Sequence, residues 1–301
     1  MTGLTALIRR NTKLYFKDKG MFFTSLITPL ILLVLYSTFL GNVYEDSFRS
    51  ALEAAGASVS DELIWGCVGG QLVSSLLAVS CVTVAFCSNL LMVQDKTTGA
   101  RQDLTIAPVK GSTLSLSYYL STLCSTLLIS VGAAAVCLVY LYLVGWFLTA
   151  ADVAALLLDG VLLVMFGTAL SSCVIFPLST NGQASAVGTI VSAGYGFICG
   201  AYMPISSFSE GLQRVISFLP GSYGTSLLRN HTLRGVFQEM ESQGFPTVVV
   251  DAIRDSVDCN LYFFDKKVEL SGMYLVLVAS ILIFVGLYIV MAVLSGKKHR
   301  G

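Results

Sequence analysis

The chain has 301 residues, of which 55% are hydrophobic and 12% charged, and its formal net charge is zero. Soluble domains carry roughly twice that share of charge, so this chain has too few polar residues to cover a water-facing surface, and most of it must have lipid for its solvent. A zero net charge gives no reason to expect a nucleic-acid partner.

From the N-terminus, residues 3–19 predict an amphipathic helix. Leu4, Leu7, Ile8, Leu14 and Tyr15 recur at spacings of three, four and seven, while Arg9, Arg10, Lys13 and Lys17 occupy other faces. Such a helix lies in the membrane interface with its apolar side down, or packs as a short cytosolic helix on another subunit. The apolar run from Met21 to Leu40 follows. At 1.5 Å per residue it crosses about 30 Å of hydrocarbon, and it is longer than the core of a cleaved signal peptide. We read it as an uncleaved first span, with Pro29 tolerated because neighbouring helices can satisfy the freed carbonyl.

Six apolar spans are predicted, at 21–41, 65–93, 114–145, 152–176, 184–203 and 272–295. The second and third exceed what a bilayer needs, so they tilt or extend into water. The glycine-containing stretches Val131–Ala135 and Gly194–Gly196 would suit close helix packing, within the chain or between chains. Between the fifth and sixth spans lies the longest polar stretch, 204–271. It opens on Met203–Leu219, semi-apolar and bracketed by Pro204 and the Leu219-Pro220-Gly221 break. That piece is too short and too polar to span, and it predicts a helix that dips into the membrane and returns. The remainder, 236–270, reads as a small cap or a long loop.

Basic residues set the orientation. Arg9, Arg10, Lys13, Lys17 and Lys19, then Lys96, Arg101 and Lys110, then Lys297, Lys298 and Arg300 fall on one side, whereas the short loops opposite hold only Arg49. The expected result is a multi-pass protein of the cell membrane with both termini in the cytosol and residues 204–271 outside.

Catalytic chemistry is sparse. Seven cysteines, Cys67, Cys81, Cys87, Cys124, Cys137, Cys173 and Cys199, lie in apolar stretches and read as small packing residues, and Cys259 stands alone in a polar one. No disulfide framework or metal site is expected. His231 and His299 both fall outside the predicted spans, and no Gly-x-x-x-x-Gly-Lys-Ser/Thr phosphate loop occurs. The chain is therefore expected to be neither an enzyme nor a nucleotide binder. Asp159 is the one acid within a predicted span. It faces a water-filled path or another helix, or it sits at the outer headgroups if the fourth span starts later. One acid is little with which to couple an ion gradient, so an external energy source is expected.

The segment Val93-Gln94-Asp95-Lys96-Thr97-Thr98-Gly99-Ala100-Arg101-Gln102-Asp103-Leu104-Thr105-Ile106-Ala107-Pro108-Val109-Lys110 carries charges, a glycine, then an apolar residue and a proline, as a helix end followed by a short surface element does. In Asp95, Lys96, Gly99, Leu104 and Pro108 it resembles the cytosolic loop of type-2 ABC exporter permeases, with Asp95 in place of the more usual glutamate. Met203-Pro204 through Leu219-Pro220-Gly221, then Arg229 and Arg234, resembles that family's re-entrant element after the fifth span. The resemblance implies an all-α integral membrane fold with six transmembrane helices, an N-terminal amphipathic interfacial helix and an outer re-entrant element, in one domain. It also implies a coupling loop at 94–112, including Arg101, that receives movement from a separate ATPase subunit. ATP and Mg would sit on that subunit and not on this chain. Two permeases, identical or different, would pair in the lipid and export a small molecule, peptide or lipid-like substrate, with Pro204, Leu219, Pro220 and Arg229 at the exit. The rival reading is a membrane-anchored sensor whose outer segment recognises a ligand without transport.

Overall fold

Local sequence marks where the helices begin. Asp18 accepts a hydrogen bond from the Met21 amide, Ser60 from Leu63 and Thr180 from Gln183, while Thr149 and Asp152 close a reciprocal capping box. In the computed structural model, which describes residues 2–54, 60–106, 109–264 and 266–298, these caps open α2 (Lys19–Leu35), α4 (Asp61–Asn89), α9 (Asn181–Ile198) and α8 (Ala150–Ile175). The other helices are α1 (Thr2–Lys17), α3 (Gly41–Ala54), α5 (Leu91–Thr97), α6 (Ala100–Ile106), α7 (Gly111–Val144), α10 (Glu210–Ile216), α11 (Pro220–Ser242), α12 (Thr247–Ser256) and α13 (Leu270–Lys298). A π-helical turn, Tyr36–Leu40, joins α2 to α3, and a 3-10 turn, Ile205–Ser207, precedes α10. The strands β1 (Leu261–Phe263) and β2 (Lys266–Val268) form an antiparallel hairpin that the helical expectation did not include.

Among the described residues, five helices are long and apolar enough to cross a membrane: Lys19–Ser50, Asp61–Thr97, Gly111–Val144, Ala150–Ile175 and Leu270–Ser295. The expected count was six. The sixth, placed at 184–203, is α9, a helix of 18 residues that is headed by Asn181 and Gln183, ends at Ile198 and does not reach the apolar character of the other five.

The spans differ sharply in what surrounds them. In α4, 89% of the most apolar window is buried, against 22% in α7 and 17% in α13. Helix α4 is thus a central post, packed by α2, α7, α8, α9 and α11. Outward faces of α7 and α13 carry Leu128, Val136, Leu143, Leu275, Leu282 and Ile283, all more than 60% exposed, as lipid-facing helices do.

In the segment after α9, α10 keeps Leu212 and Val215 exposed and Phe218 follows it at the surface, apolar exposure of the kind that α7 and α13 also show. The helix buried in the bundle is the next one. Pro220 starts α11 at its first turn, where a missing N–H costs nothing. It then runs antiparallel to α8, with Gly224 against Leu163, His231 beside Asp159 and Arg234 beside Asp152. Close approach requires glycine here, since a Cβ on Gly235 would strike the Phe147 carbonyl and one on Gly70 would strike Leu233. The glycines singled out earlier serve differently: Gly132 and Gly194 meet nothing within 4 Å, and only Gly196 packs closely, on the Tyr202 ring.

Candidate coupling site and cavity

The α1 end of the bundle holds the first cluster. Asp95 on α5 is nearly buried. Arg10 of α1 grips it with both guanidinium arms, Nη1 to Oδ2 at 2.6 Å and Nη2 to Oδ1 at 3.0 Å, and the Tyr118 hydroxyl of α7 donates to Oδ2 at 2.6 Å. A bidentate arginine–carboxylate pair fixes angle as well as distance. The next residue faces elsewhere. Lys96 Nζ donates to the carbonyls of Phe176 (2.6 Å) and Leu178 (2.7 Å), the orphan acceptors at the end of α8. The Thr97 hydroxyl donates to Asn181 Oδ1 at 3.3 Å, at the start of α9. One short helix therefore touches α1, α7, α8 and α9 through three consecutive side chains.

Gly99 follows in the left-handed conformation, φ +82°, and turns the chain into α6. No residue of α6 is buried, and Ile106 is 84% exposed. Leu104 leans on a small apolar cluster of Leu7, Met92, Leu114, Tyr118, Cys173 and Tyr288. Arg101 is half-buried on α6, and Pro108 lies outside the described residues. The structure thus brings Asp95, Lys96, Gly99, Arg101 and Leu104 to one end. The sequence did not reveal that Arg10 and Tyr118 complete the site. Arg10 stood out only as a charge off the apolar stripe of α1, and its partner is 85 positions away.

A second site lies at the hairpin end. Arg229, 1% exposed, donates from Nη1 to Asp258 Oδ2 at 3.0 Å, and from Nη2 to Ser75 Oγ at 3.2 Å and to the Gly200 carbonyl. Asp258 Oδ2 also accepts the Ile205 amide at 2.8 Å. Burial holds the Asp258 carboxyl above the usual carboxylate range, against the pull of Arg229. Arg229 so joins α4, the end of α9, α11 and the turn after α12. Leu219 and Pro220 open α11, and Pro204 opens the 3-10 turn.

Between these two sites runs a cavity of about 1630 Å³. One wall is α2, the π turn and α3; the other is α9. Cys87, Leu90 and Gln94 lie toward α5, and Pro204 with α12 closes the hairpin end. Asp159 is not on it. That carboxylate is fully buried, 2.6 Å from His231 Nδ1 and accepting from the Tyr274 hydroxyl at 2.6 Å. The carboxylate is thus held against α11 and α13.

A model of the family described as ABC-2 type transporter matches residues 2–232. The match runs from α1 into α11 and takes in the Asp95 cluster and both long walls of the cavity. A comparison with curated proteins gives no significant match. The chain belongs to the ABC-2 type transporter family and is its multi-pass membrane component.

Proposed function

We propose that the chain is the permease subunit of an ATP-driven exporter in the cell membrane, with the α1 end in the cytosol and the hairpin end outside. The chain itself performs no covalent chemistry and holds no cofactor; ATP and Mg are used by a separate ATPase subunit. The observation that carries the reading is the arrangement around α5. An unburied helix, α6, stands on a three-residue hub tied to α1, α7, α8 and α9. A push on α6 from an ATPase would reach α9, one wall of the cavity, through Thr97 and Asn181. Two permeases would pair, identical or different. The Arg229–Asp258 junction, with Pro204, Leu219 and Pro220, forms the outer end of the path, and α11 is the returning arm of a re-entrant pair.

The test is reconstitution. The chain is co-expressed with a separate ABC-type ATPase subunit and purified into liposomes. Nucleotide hydrolysis is expected from the complex and not from the chain alone, and Ile106→Glu should lower ATPase recovery while leaving membrane insertion unchanged. Hydrolysis by the isolated chain, or full recovery of the ATPase with Ile106→Glu, would overturn the proposal.

A further inference from the structure

The walls of the cavity are chemically unequal. On α2 the lining is dominated by Ile27, Ile31 and Leu35, whereas on α9 it presents Ser185, Thr189 and Ser192, spaced four and three apart along one face. Among the described lining residues there is no Asp, Glu, Lys, Arg or His. The buried ionic groups described above are already committed: Arg229 to Asp258, Asp159 to His231 and Tyr274, Asp95 to Arg10 and Tyr118.

An ion brought into such a cavity would leave water without a counter-charge, at a cost of several kcal/mol. A neutral molecule incurs no such penalty. An apolar body on α2 would gain by burial, and hydroxyl or amide groups on α9 would find hydrogen-bond partners. The volume exceeds the roughly 300–1,000 Å³ of pockets for drug-sized ligands. A second copy of the chain across the open side would bring the same uncharged walls.

We infer that the cavity takes an uncharged amphiphile of lipid-like size, with its apolar body on α2 and its neutral polar groups on α9. This rests on the permease reading for its purpose, though not for its chemistry. It narrows the substrate class, because permanently charged drugs, acidic polysaccharides and cationic peptides are disfavoured.

The full chain in phosphatidylcholine nanodiscs is photolabelled with three diazirine probes of equal chain length. One has a monoacylglycerol head, one a sulfonate and one a trimethylammonium. Mass spectrometry compares labelling of the α2 and α9 linings with labelling of the lipid-facing Leu282–Ile283 surface of α13. The expected result is at least tenfold stronger cavity labelling by the neutral probe than by either charged one, after normalisation to α13. Thr189→Lys, or Ser185→Lys if the first variant fails to insert, should shift the preference to the sulfonate. Equal cavity labelling by all three probes, or labelling confined to α13, overturns the inference. Because binding needs no ATPase, neutral preference without ATP-driven movement removes the exporter reading and leaves this one standing. ATP-driven export of a charged probe without neutral preference does the reverse.

Discussion

Asp95 accepts three hydrogen bonds from two helices, and its 6% side-chain exposure leaves little water to replace a lost partner. Hydrogen bonds to charged groups contribute roughly 1.5–3 kcal/mol. Arg10→Met and Asp95→Asn should each lower thermal stability in detergent, and the double variant should lose less than the sum of the two. A double-mutant cycle on the unfolding midpoint reads this, and strict additivity would separate the two residues. Cys259 gives a second test at this scale. From the sequence it stood in a polar stretch and would be open to reagents. In the structure it is 1% exposed, with its carbonyl accepting from Ser226 and Asn230, and burial pushes its thiol up to about 12. The thiolate is the reactive form, so with the other cysteines removed, Cys259 should resist an impermeant maleimide at neutral pH until the protein is denatured. Labelling of the folded protein would mean that the 255–260 turn opens.

At the scale of elements, helix existence was legible wherever apolar runs were long, and the caps at Asp18, Ser60, Thr149 and Thr180 stand in the sequence as written. Helix α11 was not legible as a buried element. Asn230, His231 and Arg234 make it read as a solvated segment, and its burial depends on acids supplied by other elements: Asp159 and Asp152 from α8, and Asp258 from the turn after α12. A single sequence read for apolar periodicity has no means of pairing charges that lie 29 to 82 positions apart. Most of the coupling segment was visible, because Gly99 and the Asp95-Lys96 pair are local; what they grip was not. Two element-level outcomes follow. Gly235→Val forces α11 off the Phe147 carbonyl and should cut the yield of folded protein severalfold, measured by size-exclusion recovery; unchanged recovery would show that the contact between α11 and the α7–α8 connection is loose. Gly99→Val strains a left-handed residue by about 1–2 kcal/mol. It should weaken ATPase coupling, seen as hydrolysis without transport, while insertion is normal; normal transport would show that the α5–α6 turn is not in the drive train.

For the whole molecule, cations gather on the short segments at the α1 end. Lys13, Lys17, Arg101 and Lys110 lie there, with Arg10 held by Asp95. Lys and Arg in short segments hold a membrane protein's cytosolic side, whereas long segments cross regardless of their charge. A cysteine at Ser112 in a cysteine-free chain should therefore be shielded from an impermeant reagent in intact cells, and one at Glu210 should label; the opposite pattern would invert the topology. The central place of α4 also bears on how the chain is made. A ribosome finishes α4 before α7, α8 and α11, so the nascent post enters lipid with Gln71, Ser74, Ser75 and Thr83 uncovered. Synthesis halted after α8 would yield four of the five long apolar helices found among the described residues and still leave Gly70 bare, because Leu233 and Thr232 of α11, which cover it, have not been translated. Such a product is inserted but unfinished, and its fate is a matter for the cell's degradation machinery: the last third of the chain, poorest in membrane-like sequence, decides whether the first two thirds survive.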